Sequence, residues 1–276
     1  MTTPDRYAVI GNPIAHSQSP EIHARFAAQT GQNLTYERLL APLDGFAAVV
    51  RAFIANGGRG LNVTVPFKLE AYAMATSLTN RARIAGAVNT LIFGGDEIVG
   101  DNTDGIGLVN DIVHNAGVTL AGKRLLLLGA GGAARGVIQP LIDVTPAELI
   151  IANRTLSKAK DLAGIFSMHT RIPLSACAFG NLQGPFDVVI NATSTGLTDE
   201  MPDVPASICG HSTLAYDMVY GKKPSPFLQF AAKRGAATRD GLGMLVEQAA
   251  ESFFVWRGVR PDTAPVLAAL RALLQA

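Results

Sequence analysis

The chain has 276 residues, of which 48% are hydrophobic and 16% charged, and its formal net charge is +1. A chain of this length and composition can bury a large core, and it is most naturally read as two α/β domains. Because it has no Lys/Arg cluster, the near-neutral charge argues against a nucleic-acid or anionic-membrane partner.

Cysteine usage and the N-terminal run indicate the compartment. Cys177 and Cys209 are the only cysteines and lack metal-ligand spacing, so we expect neither a disulfide nor a metal site. The apolar run Tyr7–Ile10 is too short for a signal peptide, and no run approaches the length of a membrane span. A reducing cytoplasm is the simplest expectation.

The first hundred residues alternate short β-rich runs with helical patterns, which predicts a mostly parallel sheet covered by helices. The predicted strands are Tyr7–Ile10, Thr35–Leu39 and Gly60–Val65, and the predicted helices are Pro20–Thr30, Leu43–Asn56 and Phe67–Ala75. A hairpin is predicted for Leu91–Phe93 and Ile98–Val99, and a helix for Gly105–Asn115.

Polar residues mark two places in this half. Ser17 and Ser19 share one face of an extended segment, although Ser19 could equally be the N-cap of the following helix. In the run Asn62–Lys68, strand alternation sends Asn62 and Thr64 to one face and the two valines to the other.

Lys68 is predicted at the start of a helix, where the helix dipole disfavours a cation. Stability does not select a lysine there, so its position hints at proton exchange, although a lone lysine at a helix start is more often simply solvated. The small polar motifs Gly86–Thr90 and Asp101–Gly105 support a site. The second could also be a turn that caps a helix, and it does not match a calcium loop.

The run Leu125–Ala134 reads as a buried strand, a glycine-rich turn and a helix, which is the pattern of a dinucleotide-binding unit. Gly129 and Gly131 allow the backbone to approach a pyrophosphate, and the helix N-terminus offers free N–H groups to the phosphates. The alternative is a glycine-rich helix start with a solvated arginine beyond it.

A second predicted strand, Glu148–Ala152, follows at the spacing where NAD-binding units place an Asp or Glu. Here the chain instead has Asn153, Arg154 and Thr155, followed by Ser157 and Lys158. Because these groups would bind a 2′-phosphate that a carboxylate would repel, the sequence predicts NADP(H).

Further strands are predicted at Asp187–Asn191 and Leu214–Met218, and amphipathic helices at Leu242–Trp256 and Pro261–Leu274. We predict a substrate-binding domain of residues 1–104, completed by helices within residues 240–276, and a Rossmann-type NADP-binding domain of residues 105–239.

Taken together, the motifs resemble the shikimate dehydrogenase family over the whole chain and in order. They are Ser17-x-Ser19-Pro20, Asn62-Val-Thr64-Val-Pro-Phe-Lys68, Ala87-Val-Asn89-Thr90, Asp101-Asn-Thr-Asp104-Gly105, Gly129–Ala134, Asn153-Arg154-Thr155, Asn191-Ala-Thr193-Ser-Thr-Gly196 and Asp240-Gly241-x-Gly243-Met244-Leu-Val-x-Gln248. The resemblance implies reversible, NADPH-dependent reduction of 3-dehydroshikimate to shikimate in aromatic amino-acid biosynthesis.

The resemblance also implies roles for individual residues, with Lys68 and Asp104 as the catalytic pair. The implied substrate-binding residues are Ser17, Ser19, Asn62, Thr64, Asn89, Tyr220 and Gln248. The implied cofactor-binding residues are Gly129, Ala130, Gly131, Gly132, Ala133, Asn153, Arg154, Thr155, Leu156, Ser157, Lys158, Thr193, Met218 and Gly241. As an ammonium, Lys68 would polarise the carbonyl and supply the proton, and Asp104 would orient Lys68 or the neighbouring hydroxyl. The sequence leaves open which of the two residues donates the proton.

Two rival functions remain open. One is a paralogue that acts on quinate or an amino-shikimate, and the other is a non-catalytic NADP(H)-binding regulator, which has no need of a proton-transfer pair. The chain could act as a monomer or a homodimer.

Overall fold

A computed structural model describes residues 3–168, 170–193 and 200–275. The chain divides into two compact units. The first contains the residues up to Gly107 together with Val246–Ala269, and the second contains Leu108–Leu245 together with the residues from Leu270 onward.

The described strands and helices alternate along most of the chain. The strands are β1 (Asp5–Gly11), β2 (Leu34–Leu40), β3 (Gly58–Val63), β4 (Ser77–Leu78), β5 (Thr90–Gly94), β6 (Glu97–Asp101), β7 (Arg124–Leu128), β8 (Glu148–Ala152), β9 (Leu174–Cys177), β10 (Val188–Asn191), β11 (Leu214–Asp217) and β12 (Ala237–Asp240). The helices are α1 (Ser19–Thr30), α2 (Phe46–Ala55), α3 (Lys68–Met74), α4 (Asn80–Ala85), α5 (Asp104–Asn110), α6 (Gly132–Asp143), α7 (Leu156–Ser167), α8 (Pro226–Ala232), α9 (Leu242–Arg257) and α10 (Ala264–Gln275).

The first unit holds a six-stranded sheet in the order β2-β1-β3-β5-β6-β4. Strand β1 pairs in parallel with β2 and β3, whereas β5 pairs antiparallel with β3 and β6. The antiparallel β5–β6 pair confirms the predicted hairpin. Buried residues of β1, β3 and α2, among them Ile10, Leu61 and Phe53, form the core of this unit.

The structure corrects one detail of the Asn62–Lys68 run. Strand β3 ends at Val63, which is 2% exposed, whereas Val65 is 66% exposed. The prediction that the strand extends to Val65 and places both valines on one face is therefore wrong, because the alternation of a strand stops where the strand stops. Residues Thr64–Phe67 form a turn instead, closed by a hydrogen bond from the Phe67 N–H to the Thr64 carbonyl.

The second unit holds a fully parallel six-stranded sheet in the order β12-β11-β10-β7-β8-β9. The strand order reverses between β7 and β10, which is the doubly wound Rossmann arrangement, with its ligand crevice at the carboxyl ends of the strands at that reversal. The continuous apolar run Leu125–Leu128 is buried, as a central parallel strand requires. The predicted α/β class with a Rossmann-type domain is confirmed.

The predicted helix Gly105–Asn115 is present, but its last turn differs from an α-helix. Helix α5 ends at Asn110, and Asp111–Asn115 form a π-helical turn.

Within the described ranges, no helix is both long and apolar enough to cross a membrane.

Candidate active site

Lys68 and Asp104 form an ion pair in the first unit. The Lys68 Nζ lies 2.5 Å from the Asp104 Oδ2, and their side chains are 31% and 18% exposed. Lys68 is the first residue of α3, and the residue before it, Phe67, is fully buried against Phe46 with ring centroids 5.1 Å apart. This anchor fixes the start of α3, so the ammonium is presented at a partly open position.

Asp104 is held from its second oxygen and from its backbone. The Asn89 Nδ2 donates to the Asp104 Oδ1 at 2.8 Å, and the Asp104 N–H donates to the Asn102 Oδ1 at 3.1 Å. The Asn102 amide in turn donates to the Ala87 carbonyl at 3.0 Å. The motifs Gly86–Thr90 and Asp101–Gly105 therefore meet at the carboxylate, as the sequence suggested.

Behind this pair lies a buried network of hydroxyl and amide groups. The Asn89 Oδ1 accepts from the Thr90 Oγ1 at 2.9 Å and from the Thr103 N–H at 2.9 Å. The Asn62 Nδ2 donates to the Ser252 Oγ at 2.9 Å and to the Thr90 Oγ1 at 3.2 Å. The members of the network come from β3, β5, α9 and the residues before α5.

Ser17 and Ser19 lie together at the start of α1. The Ser17 Oγ donates to the Ser19 Oγ at 3.2 Å, and the Ser17 carbonyl accepts from both the Nε and the Nη2 of Arg38. The N-cap of α1 is Gln18, without a side-chain cap, so the alternative that Ser19 serves as the N-cap is wrong.

Thr64 and Gln248 belong to the same unit as these residues, whereas Tyr220 belongs to the second unit. Thr64 packs beside Gly11, where a Cβ would lie only 2.5 Å from the Thr64 Cγ2. The Gln248 carbonyl accepts from the Ser252 hydroxyl at 2.9 Å. Burial and the charge of Asp240 raise the pKa of Tyr220, which keeps its hydroxyl protonated as a donor.

The second unit contains an open cavity of about 960 Å³ at the carboxyl ends of its central strands. It is lined by Gly129, Ala130, Gly131, Gly132, Ala133, Asn153, Arg154, Ala178, Phe179, Gly180, Ala192, Thr193, Glu200, Met201, Pro202, Asp203, Met218 and Val219. Nine of the predicted cofactor residues are therefore brought together around one cavity.

The glycine-rich turn forms a cradle on one side of this cavity. Gly129 has a φ of +110°, and a Cβ there would lie 3.0 Å from the Ala192 carbonyl oxygen, so both conformation and space require glycine. A Cβ on Gly131 or Gly132 would meet nothing within 4 Å, so open space lies over the start of α6. An anionic pyrophosphate fits this backbone surface, because the first N–H groups of the helix are free to donate.

Asn153 and Arg154 follow β8 on the cavity wall, and the Asn153 amide donates to the Thr155 carbonyl at 3.0 Å. Directly after them, Thr155 is the N-cap residue of α7, and the helix begins with Leu156, Ser157 and Lys158. In the chain as described, neither Arg154 nor Lys158 has an ion-pair partner. Gly241 packs against the Met218 backbone, since a Cβ there would be 2.2 Å from the Met218 carbonyl oxygen.

Several lining residues escaped the sequence reasoning. Ala178, Phe179 and Gly180 follow β9, a four-residue strand, Leu-Ser-Ala-Cys, that has no β-branched or aromatic residue to signal it. Asp217, which does not itself line the cavity, was also missed; it is fully buried at the end of β11 and accepts from Asn191, Ser225 and the Val219 N–H. An apolar run that ends in a lone Asp was the available signal. Three residues of the Asn191–Gly196 motif, Ser194, Thr195 and Gly196, lie outside the described residues.

No group of three or more His, Cys, Asp or Glu side chains that could hold a metal ion occurs in the described part of the chain. His23 is buried among aromatic rings rather than near other possible ligands.

Comparison with known proteins matches the chain along most of its length. Residues 9–91 match the shikimate dehydrogenase substrate-binding domain, residues 111–198 the shikimate/quinate 5-dehydrogenase family, and residues 241–271 the shikimate 5′-dehydrogenase C-terminal domain. The shikimate dehydrogenase (NADP(+)) of Janthinobacterium sp. (strain Marseille) is 66% identical over 98% of both chains, and that of Herminiimonas arsenicoxydans is 64% identical over 99% of both.

A solved structure extends the comparison to the fold. Shikimate 5-dehydrogenase from Thermus thermophilus, in complex with NADP(H) and shikimate, is 32% identical, covers 98% of this chain and 100% of its own, and has a TM-score of 0.85. Lys68 lies in the first matched region and the glycine-rich turn Gly129–Ala133 lies in the second. The chain therefore belongs to the shikimate dehydrogenase family.

Proposed function

We propose that this chain reduces 3-dehydroshikimate reversibly to shikimate with NADPH, and that Lys68 and Asp104 handle the proton. Membership of the family makes the chain an NADP-dependent oxidoreductase of the shikimate pathway. The observation that carries the catalytic assignment is the partly exposed Lys68–Asp104 pair, held by Asn89 among neutral hydroxyl and amide groups.

NADPH, when bound, supplies the hydride that reduces the ketone carbon. Lys68, as an ammonium, polarises the carbonyl and transfers a proton from its Nζ to the oxygen that gains the negative charge. Asp104 accepts a hydrogen bond from that Nζ and fixes its direction, and Asn89 fixes Asp104. The reverse reaction uses the same atoms, with Lys68 accepting the proton from the hydroxyl.

The proposed substrate-binding residues are neutral. Ser17, Ser19, Asn62, Thr64, Asn89, Tyr220 and Gln248 can donate and accept, which suits a ring that carries hydroxyls and a carboxylate. A site that bonds each hydroxyl rejects an analogue that lacks one, because its own polar group is then left without a partner. We assign the cofactor to the glycine-rich cavity, with the adenosine 2′-phosphate near Arg154 and with Lys158 and Ser157 close to it in sequence.

The two cysteines are free thiols, Cys209 buried and Cys177 half-buried, which suits a reducing compartment. We therefore place the reaction in the cytoplasm. The same chemistry is open to a monomer and a homodimer.

The test is the loss of NADPH absorbance with purified protein and 3-dehydroshikimate, run beside NADH and beside dehydroquinate. We expect rapid oxidation only with NADPH and 3-dehydroshikimate together. Activity with NADH or dehydroquinate in their place would move the chain to the quinate-type paralogues.

Lys68→Ala tests the proton role. We expect kcat to fall by about 10²- to 10⁴-fold, the usual contribution of a positioned acid or base, with a smaller change in KM. Glu70→Ala, at an exposed position of the same helix, is the matched control and should retain activity. A Lys68→Ala enzyme with raised KM and unchanged kcat would refute the proton role.

A further inference from the structure

Hydrogen bonds connect Tyr36 of β2 to the Lys68–Asp104 pair without a break. The Tyr36 hydroxyl donates to the Asn62 Oδ1 at 2.7 Å. From Asn62 the chain continues through Thr90 and Asn89 to the Asp104 carboxylate.

Every donor in this chain points the same way, towards Asp104. A carboxylate at the end accepts only, so it sets the direction of the hydroxyls and amides that lead to it. Asn62 has few alternatives, because its Nδ2 is already used by Ser252 and Thr90 and the residue is 6% exposed. The orientation of its amide depends on the donor that reaches its Oδ1.

Tyr36 supplies that donor, and it is held rigidly on β2. Its ring lies flat on the His23 ring, with centroids 4.1 Å apart and an interplanar angle of 5°. Desolvation raises the pKa of Tyr36 well above its ordinary value, although the hydrogen bond from Ser19 lowers it. The phenol therefore remains a donor throughout the pH range of an enzyme assay.

We propose that Tyr36 is a positioning residue of the substrate site: its hydroxyl donates to the Asn62 Oδ1 at 2.7 Å and so orients the Asn62 amide, and the groups that follow it, towards the substrate. This proposal rests on the proposed function and extends it to a residue outside the predicted set. The consequence is that the orientation of Asn62, and through it the hydrogen bonds that lead to Asp104, depends on one phenol.

Tyr36→Phe removes only the hydroxyl. We expect KM for 3-dehydroshikimate to rise about tenfold, because a net hydrogen bond is worth up to about that factor in affinity. We expect kcat to change less than threefold and the KM for NADPH to stay the same. Because the phenol does not titrate in this range, the ratio of mutant to wild-type KM should be constant from pH 6 to pH 9.

Tyr7→Phe is the matched control. Tyr7 is the register partner of Tyr36 on the neighbouring strand β1, and its hydroxyl lies 3.4 Å from the Arg257 Nη1, outside the chain of hydrogen bonds. Loss of that hydroxyl should leave KM for the substrate within twofold of wild type. A general effect of losing a phenol from this sheet would instead appear in both variants.

Ser19→Ala, alone and combined with Tyr36→Phe, separates positioning from loss of stability. If Tyr36 acts partly through Ser19, the double variant raises KM by less than the product of the two single effects, because residues in one network are not additive. A loss of folded protein would lower kcat in proportion and would leave KM unchanged.

An unchanged KM in Tyr36→Phe, or an effect equal to that of Tyr7→Phe, would overturn the role of Tyr36. If the wild-type protein itself fails to oxidise NADPH with 3-dehydroshikimate, the proposed function fails instead. The two failures are therefore distinguishable.

Discussion

His23 is a fully buried histidine whose Nε2 has no partner among the described residues. Its ring packs on Tyr36, Phe26 and Phe253. Desolvation lowers the pKa of His23 to about 3, although a contact with Asn62 opposes the shift. The imidazole therefore stays neutral in the folded protein under conditions where an unfolded histidine takes up a proton.

This difference makes stability depend on pH in a defined window. Above the unfolded pKa of about 6.5 both states are neutral, and below it only the unfolded chain binds the proton, so stability falls by up to about 1.4 kcal/mol per pH unit as the pH drops towards 3. His23→Phe keeps a ring in the stack. Between pH 7.5 and pH 5, we expect its free energy of unfolding to fall by about 2 kcal/mol less than that of wild type.

Urea unfolding at the two pH values measures this difference. His114→Gln is the control. Because His114 is exposed, this substitution should leave the pH dependence of the free energy of unfolding unchanged. Parallel pH dependence of wild type and His23→Phe would contradict the prediction.

Single residues also show how far the sequence could lead. The placement of Lys68 at a helix start and the two small polar motifs pointed to groups that the structure brings within hydrogen-bond distance. Tyr36 could not be found in this way, because β2 gives no pattern that distinguishes a phenol in a polar network from one in a core. Its role depends on the register of β2 with β1 and on α1 above them, which are non-local contacts.

At the level of elements, a buried ion pair ties the π-helical turn to the second sheet. Asp111 is fully buried and accepts from the Nε and Nη2 of Arg239, at 2.7 and 2.6 Å, and from the Tyr216 hydroxyl at 2.8 Å. Gly243 at the start of α9 leaves space for this carboxylate, because a Cβ at that position would lie only 1.8 Å from the Asp111 Oδ1. The turn, β11, β12 and α9 thus meet at one carboxylate.

Asp111→Asn should destabilise the protein by about 3–5 kcal/mol, because removal of one partner leaves Arg239 as an uncompensated, partly buried charge. Glu21→Gln provides the comparison. It breaks the exposed Arg25–Glu21 pair on α1, where both side chains are more than 40% exposed, and should cost less than about 1 kcal/mol. Denaturant unfolding of both variants checks the contrast, and equal losses would disprove it.

The elements that the sequence predicted best have a continuous apolar run or a strong helical period. Strands β7, β8 and β10 lie in the middle of a parallel sheet and are buried on both faces, so the run of apolar residues itself reveals them. The strands β4, β9 and β12 lie at sheet edges, are short and carry polar residues, so tertiary pairing rather than local pattern makes them strands.

At the scale of the whole molecule, the predicted ligand groups divide between two compact units. The Lys68–Asp104 pair and the serine pair belong to the first unit, and the glycine-rich cavity with Arg154 belongs to the second. Because mutations without shared partners act independently, a change at Arg154 should alter the affinity for the cofactor and leave the affinity for the substrate unchanged.

Arg154→Ala should weaken NADPH binding by roughly 10- to 150-fold, the worth of one hydrogen bond to a charged group, and leave shikimate binding unchanged. Lys160→Ala, at an exposed position on α7, is the charge-matched control and should bind NADPH like wild type. The affinity for NADPH is measured by fluorescence titration, and the affinity for shikimate by calorimetric titration. Equal NADPH affinity of Arg154→Ala and Lys160→Ala would show that Arg154 does not bind the phosphate.

The return of residues 246–269 to the first unit has a consequence for synthesis on the ribosome. Trp256 stacks on Tyr7 of β1 at 4.7 Å and donates to the Leu91 carbonyl, so the sheet of the first unit obtains part of its packing from a helix that is translated more than 140 residues after its last strand. Most residues of the second unit, Leu108–Leu245, lie between these two parts of the first unit, so they are synthesised before the first unit has all of its residues. The first unit can therefore complete its packing only after residues 246–269 have left the exit tunnel, and we expect the fluorescence of Trp256, the single tryptophan in the sequence, to report that step.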